Sequence, residues 1–335
     1  MIKNKTIVIA EAGVNHNGSV KLAKELIDVA SSAKADYIKF QTFKSELIFS
    51  KNSPKAEYAK KNTNTHESAL EMVKKLELSI DEYLVLKDYC IKKNIKFLTT
   101  FADLESLKNY KKFNLDYIKI ASGDINNLPL LNEISKIKKK VILSTGISNI
   151  VEIRNALQVL LKHLKKNKIT ILHCTSDYPA EFNEVNLNVI HELKKIFNLK
   201  IGYSDHTNGI EVPIAAAALG ATIIEKHFTL DKNLPGPDHK ASLSPIELVN
   251  MVRSIRNINI AMGSSLKRPT ASELRNKIAV RKSIFASKKI NKGERFTKKN
   301  LVIKRPGNGL SPMSINKIIG KISRFNFKED EMIKL

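Results

Sequence analysis

The 335-residue chain has no tryptophan and only two cysteines, Cys90 and Cys174. Two thiols provide neither a disulfide framework nor the paired spacing of a zinc site, which points to a reducing compartment, the cytoplasm. No run of about 18 apolar residues occurs, so no membrane-spanning helix is expected. The start, Met1 to Lys5, leads straight into an apolar run without the hydrophobic core of a signal peptide. No glycine-rich dinucleotide fingerprint follows that run, which argues against an open doubly wound sheet. Acidic residues are scarce too, 33 against 57 Lys and Arg, for a net charge of +24. Such a charge could suit nucleic acid. However, the lysines are scattered, with short clusters at 138–140 and 165–168, and no basic motif is interleaved with aromatics. A lysine-rich coding bias together with anionic small substrates fits better, and no nucleic-acid or membrane partner is expected.

What is present is a steady alternation. Strand-like runs fall at Thr6–Glu11, Tyr37–Gln41, Lys96–Thr100, Tyr117–Ser122, Val141–Thr145, Thr170–Cys174, Lys200–Ser204 and Thr222–His227. Between them apolar residues recur at helical spacing. Leu22, Ala23, Leu26, Ile27 and Ala30 follow a Ser19 cap, and later patterns cover 80–93, Ile150–Leu164, Asn186–Phe197 and Pro245–Asn259. Strands alternating with helices over roughly 260 residues are the rhythm of an α/β chain of the (β/α)8 TIM-barrel class. The barrel is assigned to residues 1–262, with 45–78 as a polar, lysine-rich insertion over the site. Residues 263–282 read as a linker and 283–335, with short apolar runs and frequent turns, as a compact β module.

Barrel enzymes place their chemistry at the C-terminal ends of the strands. Here those ends carry Glu11; Lys39 and Gln41; Thr100; Lys119 and Ser122; Ser144; Ser176 with Tyr178; Ser204 to His206; and Glu225 with His227. Side chains alternate across a strand, so Ser204 and His206 share one face, as do Glu225 and His227. Two imidazoles at the ends of adjacent strands can reach one metal ion. Glu225 is expected to support one of these histidines from behind.

The runs Ile9-Ala10-Glu11-Ala12-Gly13-Val14-Asn15-His16-Asn17-Gly18, Lys39-Phe40-Gln41-Thr42, Leu143-Ser144-Thr145-Gly146, His173-Cys174, Ser204-Asp205-His206, Glu225-Lys226-His227-Phe228, Gly236-Pro237-Asp238 and Lys304-Arg305-Pro306-Gly307-Asn308-Gly309 together resemble the bacterial sialic acid synthases. These are the N-acetylneuraminate synthases and their legionaminate and pseudaminate relatives. The resemblance covers nearly the whole chain. It implies a barrel joined to a C-terminal antifreeze-like (SAF) domain, and a transferase that condenses phosphoenolpyruvate with an N-acetylated amino sugar. It also implies a divalent metal, Mn2+ or Mg2+, on His206 and His227, acting as a Lewis acid on the sugar carbonyl. Lys39, Lys119, Thr100, Ser122, Ser144 and Ser204 would hold phosphoenolpyruvate, since a trianion suits fixed cations and hydroxyl donors. Glu11, Gln41, Tyr178 and Asp238 would contact the open-chain sugar. Arg305 would reach its N-acetyl end from the partner subunit of a domain-swapped homodimer.

The chain departs from the family in places. Asp124 stands in Ser122-Gly123-Asp124 where Glu is usual, and it is assigned the acid/base role, with Glu11 and Lys119 as the other catalytic residues. Thr99-Thr100-Phe101 replaces a common Ser-Thr-Pro, and Ser176 stands where many members carry Asn. His239 and Lys240 read as pocket or loop residues. The stretch Leu234 to Ser242 reads most like the N-acetylmannosamine-using branch, so N-acetylneuraminate synthase is the first expectation. The alternatives are a legionaminate synthase using 2,4-diacetamido-2,4,6-trideoxymannose, a Schiff-base aldolase with Lys119 as nucleophile, and a charge-driven nucleic-acid binder.

Overall fold

A computed structural model describes residues 5–63 and 67–335, which form two units, one running through Gly263 and one from Ser264 onward. The first is a closed barrel of eight parallel strands in sequence order. They are β1 (Ile7–Gly13), β2 (Tyr37–Thr42), β3 (Lys96–Phe101), β4 (Tyr117–Ile120), β5 (Lys140–Ser144), β6 (Ile169–Cys174), β7 (Lys200–Asp205) and β8 (Ile223–His227). β1 closes on β8, with Glu11 opposite His227. β4 is shorter than the sequence pattern predicts, because Ser122 already begins a 3-10 turn ending at Asp124.

Alternation along each strand builds two separate cores. Outward residues such as Val8, Ala10, Ile38, Phe40 and Ile118 pack beneath the helices. Inward residues Ile9, Tyr37, Leu98, Ile142, Leu172 and Ile223 form an apolar plug inside the barrel. Full burial of such a side chain contributes about 1.5–3 kcal/mol. Two residues further along the same strands, the inward positions become Glu11, Lys39, Thr100, Ser144, Cys174 and Glu225, and on β7 Ser204 follows Gly202 in the same way. One period-two step thus turns a dry plug into a polar floor. β7 meets the plug with Gly202, because a Cβ there would lie 2.5 Å from both the Ile223 carbonyl oxygen and Leu172 Cδ2.

The helices follow from their caps and apolar faces. Ser19 accepts from the Leu22 amide, and the helix Val20–Ser32 buries Ala23, Leu26, Ile27 and Ala30. The helix Pro245–Ala261 ties off the base of the barrel. Its Arg256 donates to the Thr6 carbonyl and to Asp36, which also pairs with Lys5. The described part of 45–78 contains three short helices, Ser45–Ile48, Glu57–Asn62 and Ala69–Lys74. Glu77 clamps this segment by accepting from the Ser45 amide, the Ser45 hydroxyl and Lys44 Nζ. Asn62 Nδ2 donates to the Pro237 carbonyl at 2.9 Å, which fastens the segment to the loop after β8.

The stretch read as a linker contains a helix. Ala271–Val280 is a helix whose Thr270 and Glu273 form a reciprocal capping box. Beyond it, the antiparallel strands β9 (Ser283–Ala286) and β10 (Leu301–Lys304) pack over Ile284, Ile290, Phe296, Phe327 and Ile333. Among the described residues no helix is long and apolar enough to cross a membrane.

Candidate active site

A cavity of about 780 Å³ opens above the polar floor, lined by strand-end residues and by parts of the segment 43–76, namely 43–59 and 69–76. Its floor is an ion-pair chain. Lys39 Nζ lies 2.7 Å from Glu11 Oε1 and 3.8 Å from Glu225 Oε1, and Lys119 Nζ lies 3.5 Å from the same Glu225 oxygen. Lys39 also donates to Thr100 Oγ1, and the Ser204 hydroxyl donates to Glu225. Gln41 Nε2 donates to Glu11 Oε1 at 3.0 Å. The Ser144 hydroxyl and the second oxygens of Glu11 and Glu225 are buried without a hydrogen-bond partner. Unsatisfied buried groups are costly, so donors and acceptors aimed at a cavity mark where a polar ligand would fit. Glu225 therefore bridges the two lysines, whereas the sequence reading placed it behind a histidine.

Burial and these pairings set the charges. Burial disfavours the Lys39 ammonium, but Glu11 and Glu225 outweigh it and raise its pKa. For Lys119 burial wins and lowers the pKa, with Glu225 opposing. Glu225 is pushed up by burial, yet Lys119 and Lys39 hold it below the usual carboxylate range. Burial lifts Glu11 to about 7, Lys39 opposing and Glu225 adding repulsion.

The histidines stand just beyond β7 and at the end of β8, ring centroids 5.6 Å apart. His206 Nδ1 is occupied by the Thr175 carbonyl, which leaves the other ring nitrogen free. His227 Nδ1 is buried and unpartnered, with Asp238 Oδ2 3.9 Å away. Burial lowers both imidazole pKa values, that of His227 far below the usual one, so both rings are neutral, the form that ligates metals. Two neutral imidazoles, one with a buried and unpartnered Nδ1, are a donor set that suits a divalent cation. Among the described residues no group of three or more His, Cys, Asp or Glu is arranged to hold one, so such an ion would complete its shell with water or substrate. Tyr178 packs at a tilt against His206, ring centroids 4.1 Å apart, and burial lifts its pKa well above the ordinary value. Burial raises Asp238 to about 6 against the pull of Lys39.

Matching against known proteins agrees with this architecture. Residues 26–267 match the NeuB family model and 281–335 the SAF domain model. The chain belongs to the NeuB family. It is 52% identical to the N,N'-diacetyllegionaminic acid synthase of Campylobacter jejuni over 98% of this chain and 99% of that one. It is 42% identical to the Legionella pneumophila protein of the same name, covering 93% and 89%. Among solved structures, the N-acetylneuraminic acid synthetase of Leptospira borgpetersenii superposes with a TM-score of 0.71 at 38% identity, covering 82% of this chain and 90% of that one.

Of the site residues expected from the NeuB resemblance, Glu11, Lys39, Gln41, Thr100, Lys119, Ser122, Ser144, Tyr178, Ser204, His206, His227 and Asp238 border one cavity. Asp124 does not border it. Its carboxylate accepts from Asn127, and burial raises its pKa against that bond. Arg305 belongs to the second unit, where its Nε donates to the Val280 carbonyl. His239 is buried between Thr229 and Asn17, with Lys240 exposed beside it. Sequence reasoning missed Tyr58, whose ring lies 4.6 Å from that of Tyr178. It also missed Lys226, fully buried on the outer face of β8 and bonded to Asp205 and the Thr207 carbonyl, where it pins the turn carrying His206. Tyr58 sits in a polar stretch without periodicity. Lys226 could have been found, since its position alternates with two inward residues and must face the helices.

Proposed function

We propose that the chain condenses phosphoenolpyruvate with 2,4-diacetamido-2,4,6-trideoxymannose to form N,N'-diacetyllegionaminate and phosphate. The observation that carries this reading is 52% identity over nearly the full length to a protein named for that product. The first expectation, N-acetylneuraminate synthase, accordingly gives way to the alternative.

The floor supports the chemistry. Lys39, Lys119 and the hydroxyls of Thr100, Ser122, Ser144 and Ser204 would bind the phosphate and carboxylate of phosphoenolpyruvate. Gln41, Tyr178 and Asp238 would orient the open-chain sugar so that its aldehyde carbon meets the methylene carbon. Mn2+ or Mg2+ held by His206 and His227 would supply Lewis-acid polarisation of the aldehyde. Carbon–carbon bond formation leaves an oxocarbenium at C2. Water adds there and loses a proton, and the tetrahedral intermediate releases phosphate by C–O cleavage. Glu11, with its carboxyl lifted to about 7, can hold or release a proton at the developing alkoxide. Asp124 would need substrate or water to connect it to the reacting atoms. A homodimer with Arg305 serving the sugar also remains part of this proposal.

The test is phosphate release from phosphoenolpyruvate with the diacetamido sugar and with N-acetylmannosamine, each with Mn2+ and with EDTA. Metal-dependent turnover that favours the diacetamido sugar is expected. Turnover on N-acetylmannosamine alone would restore the first expectation, and none on either would remove the proposal.

A further inference from the structure

The cavity has two unlike sides. The strand ends supply charged and hydroxyl groups, whereas the segment 43–76 presents Ile48, Phe49, Tyr58, Met72 and Val73. These five side chains are half-buried, and Val14, Phe43 and Leu76 form a small separate apolar cluster behind Ile48 and Val73. Among the described residues of the segment, the two charged ones that border the cavity are already engaged. Lys55 donates to Thr63 and pairs with Glu67, while Glu57 pairs with Lys60. The wall is also held in place, by Glu77 at one end and by the Asn62 bond to the Pro237 carbonyl beside Asp238 at the other.

We infer that this apolar wall is the specificity element of the site, receiving the C6 methyl and the C4 acetamido methyl of the sugar. The inference rests on the proposed function, and the chemistry of the two candidate sugars decides it. N-acetylmannosamine carries hydroxyls at C4 and C6, where the diacetamido trideoxy sugar carries an acetamido group and a methyl. Against the side chains of Ile48, Met72 and Val73 a hydroxyl loses its water at about 1–3 kcal/mol each, whereas the N–H and C=O of the C4 acetamido would turn to the Tyr58 hydroxyl or to the polar side of the cavity. A methyl gains about 0.8 kcal/mol by the same burial. The polar groups Glu11, Gln41, Tyr178 and Asp238 remain for the atoms both sugars share. The wall therefore acts by rejecting hydroxyls as much as by attracting methyls.

The experiment compares kcat/KM for the diacetamido sugar and N-acetylmannosamine in the wild type, Val73→Thr and Met72→Gln. Val73→Thr is nearly isosteric, so it keeps the test valid if Met72→Gln folds poorly. Either variant should lower the preference for the diacetamido sugar by ~10-fold, through its KM, with the KM for phosphoenolpyruvate unchanged. A substrate-side arm needs no mutation: 2-acetamido-2,6-dideoxymannose should outperform N-acetylmannosamine on the wild type by ~10-fold. Equal effects of the variants on both sugars, or indifference to the 6-hydroxyl, would overturn the wall's role. Wild type inactive on the diacetamido sugar would instead overturn the proposed function, and the two failures are thereby distinguished.

Discussion

Glu11 Oε1 and Lys39 Nζ lie 2.7 Å apart on neighbouring strands, with both side chains almost wholly buried. The pair leaves Lys39 charged while Glu11 titrates near neutrality. Lys39→Met would strip Glu11 of its cation and remove one arm of the anion site. The KM for phosphoenolpyruvate should rise ~100-fold, with a smaller change for the sugar. Equal changes in both would place Lys39 elsewhere in the mechanism.

Lys119 has a lowered pKa, the property a Schiff-base nucleophile needs. Its ammonium faces Glu225, however, and the neutral histidine pair offers metal chemistry instead. Borohydride with pyruvate should therefore trap no adduct, while EDTA abolishes turnover and Mn2+ restores it. His227→Ala should lose metal-dependent turnover with its circular dichroism intact. A trapped adduct at Lys119, or activity retained in His227→Ala, would reverse this assignment.

His16 is fully buried with Nε2 unpartnered, and burial lowers its pKa to about 4. The unfolded chain binds a proton near 6.5, the folded chain only near 4. Unfolding therefore takes up a proton between those values, so His16's contribution is complete above 6.5 and is lost as pH falls. The slope is at most about 1.4 kcal/mol per pH unit. Denaturant midpoints from pH 7.5 to 5 should show a shallower decline for His16→Gln; parallel curves would contradict it.

Gly202→Ala forces a Cβ against the Ile223 carbonyl and Leu172 in the barrel plug. The cost should be about 1–3 kcal/mol, read from the denaturant midpoint. An unchanged midpoint would mean that β7 and β8 can part without penalty.

Arg305→Ala should raise the KM for the sugar more than that for phosphoenolpyruvate. Equal changes would argue against a sugar contact.

The barrel was legible because each strand carries a two-residue rhythm and each helix a broader one, so the sequence alone puts the strand ends on one rim. His206 and His227 follow from that rim alone. Glu225 did not, because its neighbours are set by register across three strands, and sequence order says nothing about which lysine it meets. The helix Ala271–Val280 buries none of its residues, and its apolar repeat is short, Ala271, Leu274 and Ile278; Thr270 and Glu273, its capping pair, are the clearer signal. The helices between 45 and 74 are too short to carry a period, so the wall's composition was visible but its placement was not.

The ion-pair chain on the floor has a bearing on life among competing anions. Two bare lysines in a cavity would fill with whatever chloride or inorganic phosphate the surroundings supplied. Here Glu11 and Glu225 already occupy them, so a visitor must displace internal partners to enter. A small monovalent ion gains too little from that exchange, whereas a molecule with both a phosphate and a carboxylate can engage the lysines and hydroxyls together. Entry of such a molecule would exchange the internal pairs of Glu11 and Glu225 for its own charges.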